Sequence, residues 1–403
     1  MVADDLAISL ADRYVRSGDY VLDPFCGSGR LLAAAAQKEV FCVGSDLNPL
    51  AYLLTRAKLA WADPTTLADI ARSVRSARRR PPAAALELRG CWKVDWFSPS
   101  VAVELGQIVA WINELSLGEP EKLLIAAALS AAARDASFAR KGNWKLHRIG
   151  AEERGALAIS AWDCFTRRLT YCVSEAMTDP LASIGGEIGI ANALELSDPS
   201  SIASRFGPFD VVLTSPPYGD SRTTVQYGAA SALTLEVISR IEGLGNLLVL
   251  GRDIDSRCLG GGQSSNGTSI IRVHRYWAGS KNSAEAQPVS KFLGDFGRAC
   301  SEIAFNLKPG GVAVLILGCR STGGYRLELD QFAVDCFQDL GFRLASVERR
   351  RLHGKHLPRK INRFARSSSP EQRAKGSTQT ISHETILVFT KPLSETGSSS
   401  GSL

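Results

Sequence analysis

The stretch from Tyr20 to Asp46 constrains this chain more than any other. Tyr20-Val21-Leu22 is a short apolar run of the kind that makes a buried strand, and it leads straight into Asp23-Pro24-Phe25-Cys26-Gly27-Ser28-Gly29. Leu31 to Lys38 is rich in alanine and leucine and reads as helix; Val40 to Gly44 then makes a second apolar strand that ends at Ser45-Asp46. Strand, glycine loop, helix and a strand closed by an acid form the unit of nucleotide-binding half-sheets. Glycine at 27 and 29 leaves no Cβ to block a ligand, so backbone amides at the start of the helix can approach it closely. Asp46 stands where one carboxylate can accept hydrogen bonds from both hydroxyls of a ribose. The loop has neither the spacing G-x-G-x-x-G nor a Walker lysine, since Arg30 follows Gly29. That points away from dinucleotides and triphosphates and toward an adenosine ligand without phosphates.

A second constellation lies far along the chain. Phe209 to Leu213 is an apolar strand that delivers Thr214-Ser215-Pro216-Pro217-Tyr218-Gly219-Asp220 to its carboxyl end, where ligands of parallel sheets bind. Two adjacent prolines hold φ near ~−65° and donate no backbone hydrogen bond, so the carbonyls around them are fixed acceptors. An acceptor-rich pocket suits an amino nitrogen conjugated to an aromatic ring, whose lone pair is delocalised. Carbonyl oxygens and the Ser215 hydroxyl would bind its N–H groups and align the lone pair for in-line attack on a sulfonium methyl, with Tyr218 stacked on the base. A base of duplex DNA has to leave the helix to enter such a pocket, at a cost of a few kcal/mol that stacking offsets.

Between the two constellations, Asp63 to about Ser183 is alanine-rich and helical, interrupted by the basic Arg78-Arg79-Arg80-Pro81-Pro82 and by loops near Gly118 and Gly142. Strand character returns at Phe209 to Leu213, Gly311 to Leu317, Phe342 to Val347 and Thr385 to Phe389. Residues 219–290, rich in glycine, serine and arginine, and residues 349–380, basic and then polar, read as irregular. The expected organisation is a first part of the catalytic domain in 1–62, a helical insertion in 63–185, the second part in 186–392 and a disordered tail in 393–403. The fold class expected is α/β, a Rossmann-like, mostly parallel sheet with a helical insertion.

Nine cysteines, an odd set without a C-x-x-C pair, give neither a disulfide framework nor a zinc ribbon, which fits a reducing cytoplasm. Met1 to Leu10 lacks the order of a signal peptide, and no apolar run approaches the ~20 residues that span a bilayer. No membrane partner is expected. His353 and His356 have no cysteine or acid cluster to complete a metal site, so none is expected. The formal charge of +6 suits a polyanion without requiring one.

The strings Asp23 to Gly29 and Thr214 to Tyr218 resemble the cofactor and catalytic motifs of the bacterial DNA amino-methyltransferases that act on cytosine N4 or adenine N6. Ser137 to Arg148 is similar to part of the helical insert of these modification enzymes, Ser215 to Gly228 to their extended catalytic motif, and Lys355-His356-Leu357-Pro358 with Glu384 to their closing hairpin. The resemblance implies a class I methyltransferase fold and S-adenosyl-L-methionine as cofactor. By it Asp23, Phe25, Gly27, Gly29, Asp46 and Asn192 would contact the cofactor, and Ser215, Pro216, Pro217 and Tyr218 would hold the target base. Serine at the first catalytic position resembles the cytosine-N4 branch, where the adenine branch more usually has Asp or Asn. Two departures stand out: Arg30 takes the place of a small residue, and no histidine- and proline-bearing segment precedes the glycine loop. A shortened start, or another segment, then has to account for one wall of the cofactor pocket.

Double-stranded DNA is the expected partner, with a cognate restriction endonuclease as a further one. Arg349 to His356 and the basic residues that follow could neutralise several phosphates, Arg351 and Lys355 among them. Arg222, Arg252 and Arg272 in the 219–290 segment are candidates for base and phosphate contacts, with the helical insert as the rival location. An adenine-N6 methylase, an RNA base methylase and a nucleic-acid-binding homologue without turnover are the alternatives left open.

Overall fold

The computed structural model describes residues 2–81, 86, 96–140, 146–155, 157–178, 185–219, 227–251, 253–261, 273–280, 285–318, 320–322, 325–352, 360–362, 377–379 and 383–393. The chain opens with α1 (Asp4–Tyr14), β1 (Tyr20–Asp23), α2 (Arg30–Ala36), β2 (Phe41–Asp46) and α3 (Pro49–Leu59). A run of helices follows: α4 (Pro64–Ala77), α5 (Pro99–Glu114), α6 (Glu119–Ala136), α7 (Ala151–Gly155) and α8 (Ala161–Thr178). The chain then passes through β3 (Gly186–Ile190), α9 (Ile202–Phe206) and β4 (Phe209–Thr214) to α10 (Tyr227–Ile238), α11 (Asn246–Leu250) and α12 (Ile254–Arg257). After α13 (Ala286–Phe305) come β5 (Leu307–Gly318), β6 (Arg320–Thr322), β7 (Tyr325–Leu327), α14 (Leu329–Asp339) and β8 (Arg343–Arg351). Strands β9 (Lys360–Asn362), β10 (Ser377–Gln379) and β11 (His383–Thr390) complete the order.

Seven strands form one sheet in the order β3-β2-β1-β4-β5-β11-β8. From β3 to β5 every pair is parallel, and β11 runs antiparallel to both of its neighbours. The strands alternate as a sheet covered on both faces must. Val211, Leu213, Val314, Ile316, Ile386 and Val388 face α1 and α2. Val212, Ala313, Leu315, Leu317, Leu387 and Phe389 face α13 and α14. On that second face Phe337 of α14 stacks on Phe389 with ring centroids 4.4 Å apart.

The helices begin where local chemistry starts them. Asn48, Asp63 and Ser98 each offer a side-chain oxygen to backbone N–H groups of the first turn, and a proline follows within that turn. Helices α4, α5, α6 and α8 share a third core with α3, built on Leu67, Leu105, Ile108, Leu129 and Phe165. At its centre Trp111, Trp162 and Phe165 lie within about 6 Å of one another, ring centre to ring centre. This layer does not come only from the segment between β2 and β3. Leu233, Leu235, Val237 and Ile238 of α10 are buried in the same core.

That last contact corrects the expectation of an irregular 219–290. Residues 227–238 are helix, and so is the segment from Ala286 onward. Helix α10 is apolar on nearly every side, as a helix buried all round is, so it carries no amphipathic stripe to announce itself. Arg349 to Arg351, expected in an irregular basic stretch, continue β8 and pair with His383 to Thr385 of β11. Strand β3 was not anticipated: Gly-Glu-Ile-Gly-Ile has too few apolar or branched residues for a strand signal, and it lies at the sheet edge.

Candidate active site

The parallel strands deliver both motifs to one edge of the sheet. Val21 pairs with Val211 and Leu22 with Val212, so the chain leaves β1 at Asp23 and β4 at Thr214 side by side. A hydrogen bond joins the two ends: the Thr214 hydroxyl donates to Asp23 Oδ1 at 2.6 Å. The same oxygen accepts from the Phe25 amide at 3.1 Å. Asp23 is 1% exposed, and its carboxylate fastens the glycine loop to the end of β4. Burial pushes this carboxyl up to about 7, against the opposing pull of its bonds to Thr214 and Phe25.

The two glycines of the loop have different physical uses. Both have φ in the left-handed region, +53° at Gly27 and +75° at Gly29. A Cβ at Gly27 would find nothing nearer than a carbonyl oxygen at 3.8 Å, so this side of the backbone is open to a ligand. A Cβ at Gly29 would sit 2.8 Å from the side chain of Thr55, so that glycine makes room for α3. Asp46 ends β2 beside the loop, and its carboxylate accepts from the amides of Gly27 at 3.0 Å and Asn48 at 2.9 Å. Burial raises its pKa while those amides and that of Leu47 lower it. Asn48 carries the contact onward: its Nδ2 donates to Ser231 Oγ of α10 at 2.7 Å.

Phe25 is half-buried against the core under α13. Asn192 turns its Oδ1 to the Leu194 amide at 3.1 Å, an Asx turn just past β3. Arg30 reaches back to the carbonyl of Val2 at 2.8 Å and to Asp4 at 3.2 Å, so its side chain serves the packing of α1 on the loop. Burial pushes the thiol of Cys258, just after α12, up to about 12, and the charges of Asp46 and Asp255 add to that rise.

In the loop after β4, Ser215 and Tyr218 are half-buried and Pro216 is buried. Ser215 Oγ lies 3.2 Å from Tyr218 Oη, which donates in turn to Glu384 Oε1 at 3.3 Å. The Tyr218 ring rests on Gly318 at the end of β5, where a Cβ would come within 2.4 Å of it. The guanidinium of Arg320 lies against Gly219 in the same way. Gly318 and Asn48 belong to no chemical motif and only the fold brings them to the site, whereas Thr214 stands in the string after β4 and the fold adds its bond to Asp23. Arg351 is exposed at the end of β8, on the same sheet edge. Arg222, Arg252, Arg272 and Lys355 lie outside the described residues, as do His353 and His356.

A sheet of this order, with a single reversed strand next to the edge, a glycine loop after β1 and an acid closing β2, is the class I Rossmann-like fold of S-adenosylmethionine-dependent methyltransferases. The residues present fit that cofactor: Gly27 is open to close approach, and Asp46 is held by backbone amides as an oriented acceptor beside it. No family model matches the chain. The Type II methyltransferase M.MvaI of Kocuria varians is 24% identical over 398 residues, covering 91% of this chain and 83% of that protein, so the likeness is not confined to the glycine loop. Among solved structures, the rRNA methyltransferase aviRa of Streptomyces viridochromogenes aligns with a TM-score of 0.33 and 15% identity over 96% of this chain and 85% of its own. A precorrin 8w decarboxylase from Methanobacterium thermoautotrophicum aligns with a TM-score of 0.31 and 11% identity over 96% and 88%. Superpositions at that level add nothing to the strand order. Among the described residues no helix is long and apolar enough to cross a membrane.

Proposed function

We propose that this chain methylates an exocyclic amino group of a base in double-stranded DNA, cytosine N4 before adenine N6. One observation carries the proposal: the Ser215 to Tyr218 loop leaves the sheet beside the glycine loop, with Thr214 and Asp23 bonded across the join. The relative named as a Type II methyltransferase supports DNA as substrate and a restriction enzyme as a companion activity.

S-adenosylmethionine, held by Asp46 and the backbone at Gly27, would supply a sulfonium methyl at the end of β1. The chain's own residues then have to orient an amino nitrogen. Ser215 Oγ and the carbonyls around Pro216 and Pro217 accept its N–H groups and turn its lone pair toward the methyl. Tyr218 offers a ring on which an extruded base can stack, an interaction of about 1–3 kcal/mol that offsets the cost of unstacking it. Serine at 215, where the adenine branch of the resembling enzymes more usually has Asp or Asn, supports cytosine as the base. Arg351, exposed at the end of β8, supports a phosphate contact on the reading of DNA as substrate.

The test is long-read sequencing of DNA from a methylation-free host that expresses the chain, with the modified nucleoside identified after digestion. N4-methylcytosine at one recurring sequence is the expected result. N6-methyladenine would overturn the choice of base, and soluble protein with unmodified DNA would overturn the proposal.

A further inference from the structure

A catalytic serine is useful as an acceptor only if its own proton points away from the substrate. The hydroxyl of Ser215 has one proton and two lone pairs, and it lies 3.2 Å from another hydroxyl, Tyr218 Oη. That pair alone has no direction, because either oxygen can donate. Direction enters from a third group. Tyr218 Oη is 3.3 Å from Oε1 of Glu384, which is 4% exposed at the start of β11. A carboxylate has no proton to give, so the phenol must donate to it. Tyr218 then has only lone pairs left for Ser215, and the serine proton turns to Tyr218.

We infer that Glu384 is a positioning residue for methyl transfer: through the Tyr218 hydroxyl it fixes the polarity of the chain Ser215, Tyr218, Glu384, so that Ser215 presents lone pairs to the substrate amino group. The inference rests on the reading of Ser215 as the acceptor of that group. The fold supports it independently of that reading. In the sheet, Glu384 pairs with Gly318, and the absence of a side chain at Gly318 is what lets the Tyr218 ring lie across β5 and reach the next strand. The carboxylate, the ring and its seat come from β11, the loop after β4 and β5, which are separated by 166 residues between Tyr218 and Glu384.

Glu384→Gln, Tyr218→Phe and the double variant test it. In single-turnover methyl transfer to DNA, Glu384→Gln should lower the rate about 10-fold, with cofactor affinity and the KM for DNA within about two-fold of the parent. In the Tyr218→Phe background the same substitution should change the rate by less than about two-fold, because the group it acts through is gone. Losses that multiply, or an unchanged rate in Glu384→Gln, would overturn the inference. A second measurement does not depend on activity. In protein labelled with 13C at tyrosine Cζ, the Tyr218 resonance, assigned by its disappearance in Tyr218→Phe, should shift in Glu384→Gln. An unmoved resonance in a variant with parental thermal stability refutes the hydrogen bond itself. A shifted resonance in a parent that methylates no DNA would keep the polarity and reject the substrate instead.

Discussion

Asp23 is a buried carboxyl, and the cost of its burial appears in how stability depends on pH. Folded, it is pushed up to about 7, whereas its ordinary value is 3.8. Between those values the native state keeps a proton that the unfolded chain has released, so this group's contribution falls as pH rises and stays low above about 7. The parent should therefore lose thermal stability from roughly pH 4 to pH 7, and Asp23→Asn should flatten that slope, as melting curves across the range would reveal. A parallel pair of slopes would mean that Asp23 is not the group responsible. Gly29 gives a second expectation at this scale. Alanine there meets a positive φ and the Thr55 side chain at 2.8 Å, so Gly29→Ala should cost about 1–3 kcal/mol in urea unfolding. Gly27→Ala meets the same backbone strain without the clash, and its larger effect should be on cofactor affinity measured by calorimetry.

Elements meet at the site through a few side chains that do two tasks at once. Asn48 caps α3 through the Leu50 amide at 3.0 Å and holds α10 through Ser231 at 2.7 Å. Replacing it with alanine removes both bonds, and a loss of about 1–2 kcal/mol is expected in urea unfolding. Ser231→Ala removes only the second and should cost about 1 kcal/mol or less. If the two variants cost the same, the cap contributes nothing and the link between helices accounts for the whole effect. Glu104 works similarly within the helical layer, accepting from Ser160 Oγ at 2.9 Å and from the amide of Trp162 at 3.2 Å to hold the start of α8.

At the scale of the molecule, the helical layer and the sheet are bound together by α10, which follows the loop after β4 in sequence but is buried against α5 and α6 in space. Removing residues 64–178 would expose Leu233, Leu235, Val237 and Ile238 together. Each is an apolar side chain whose burial is worth about 1.5–3 kcal/mol. Such a deletion should give aggregates on size exclusion rather than a smaller working sheet. A monodisperse, cofactor-binding product would show that the layer is dispensable. Leu235→Ala in the whole chain is the milder form, expected to cost about 2–5 kcal/mol.

The sequence by itself determined the glycine loop, the acid at 46, the string at 215 to 218 that follows β4, and six of the seven strands of the sheet. Each is a local pattern whose apolar period or turn chemistry is complete within about ten residues. It left β3 hidden, because an edge strand with two glycines owes its place to its neighbour, and it took 227–238 for irregular chain, because a helix buried on all sides has no polar face. Tertiary structure alone decided that Asp23 faces Thr214, that Gly29 yields to Thr55, and that Glu384 reaches Tyr218 over Gly318. Those contacts join residues far apart in the chain, and only the sheet's strand order and register bring such residues within hydrogen-bond distance.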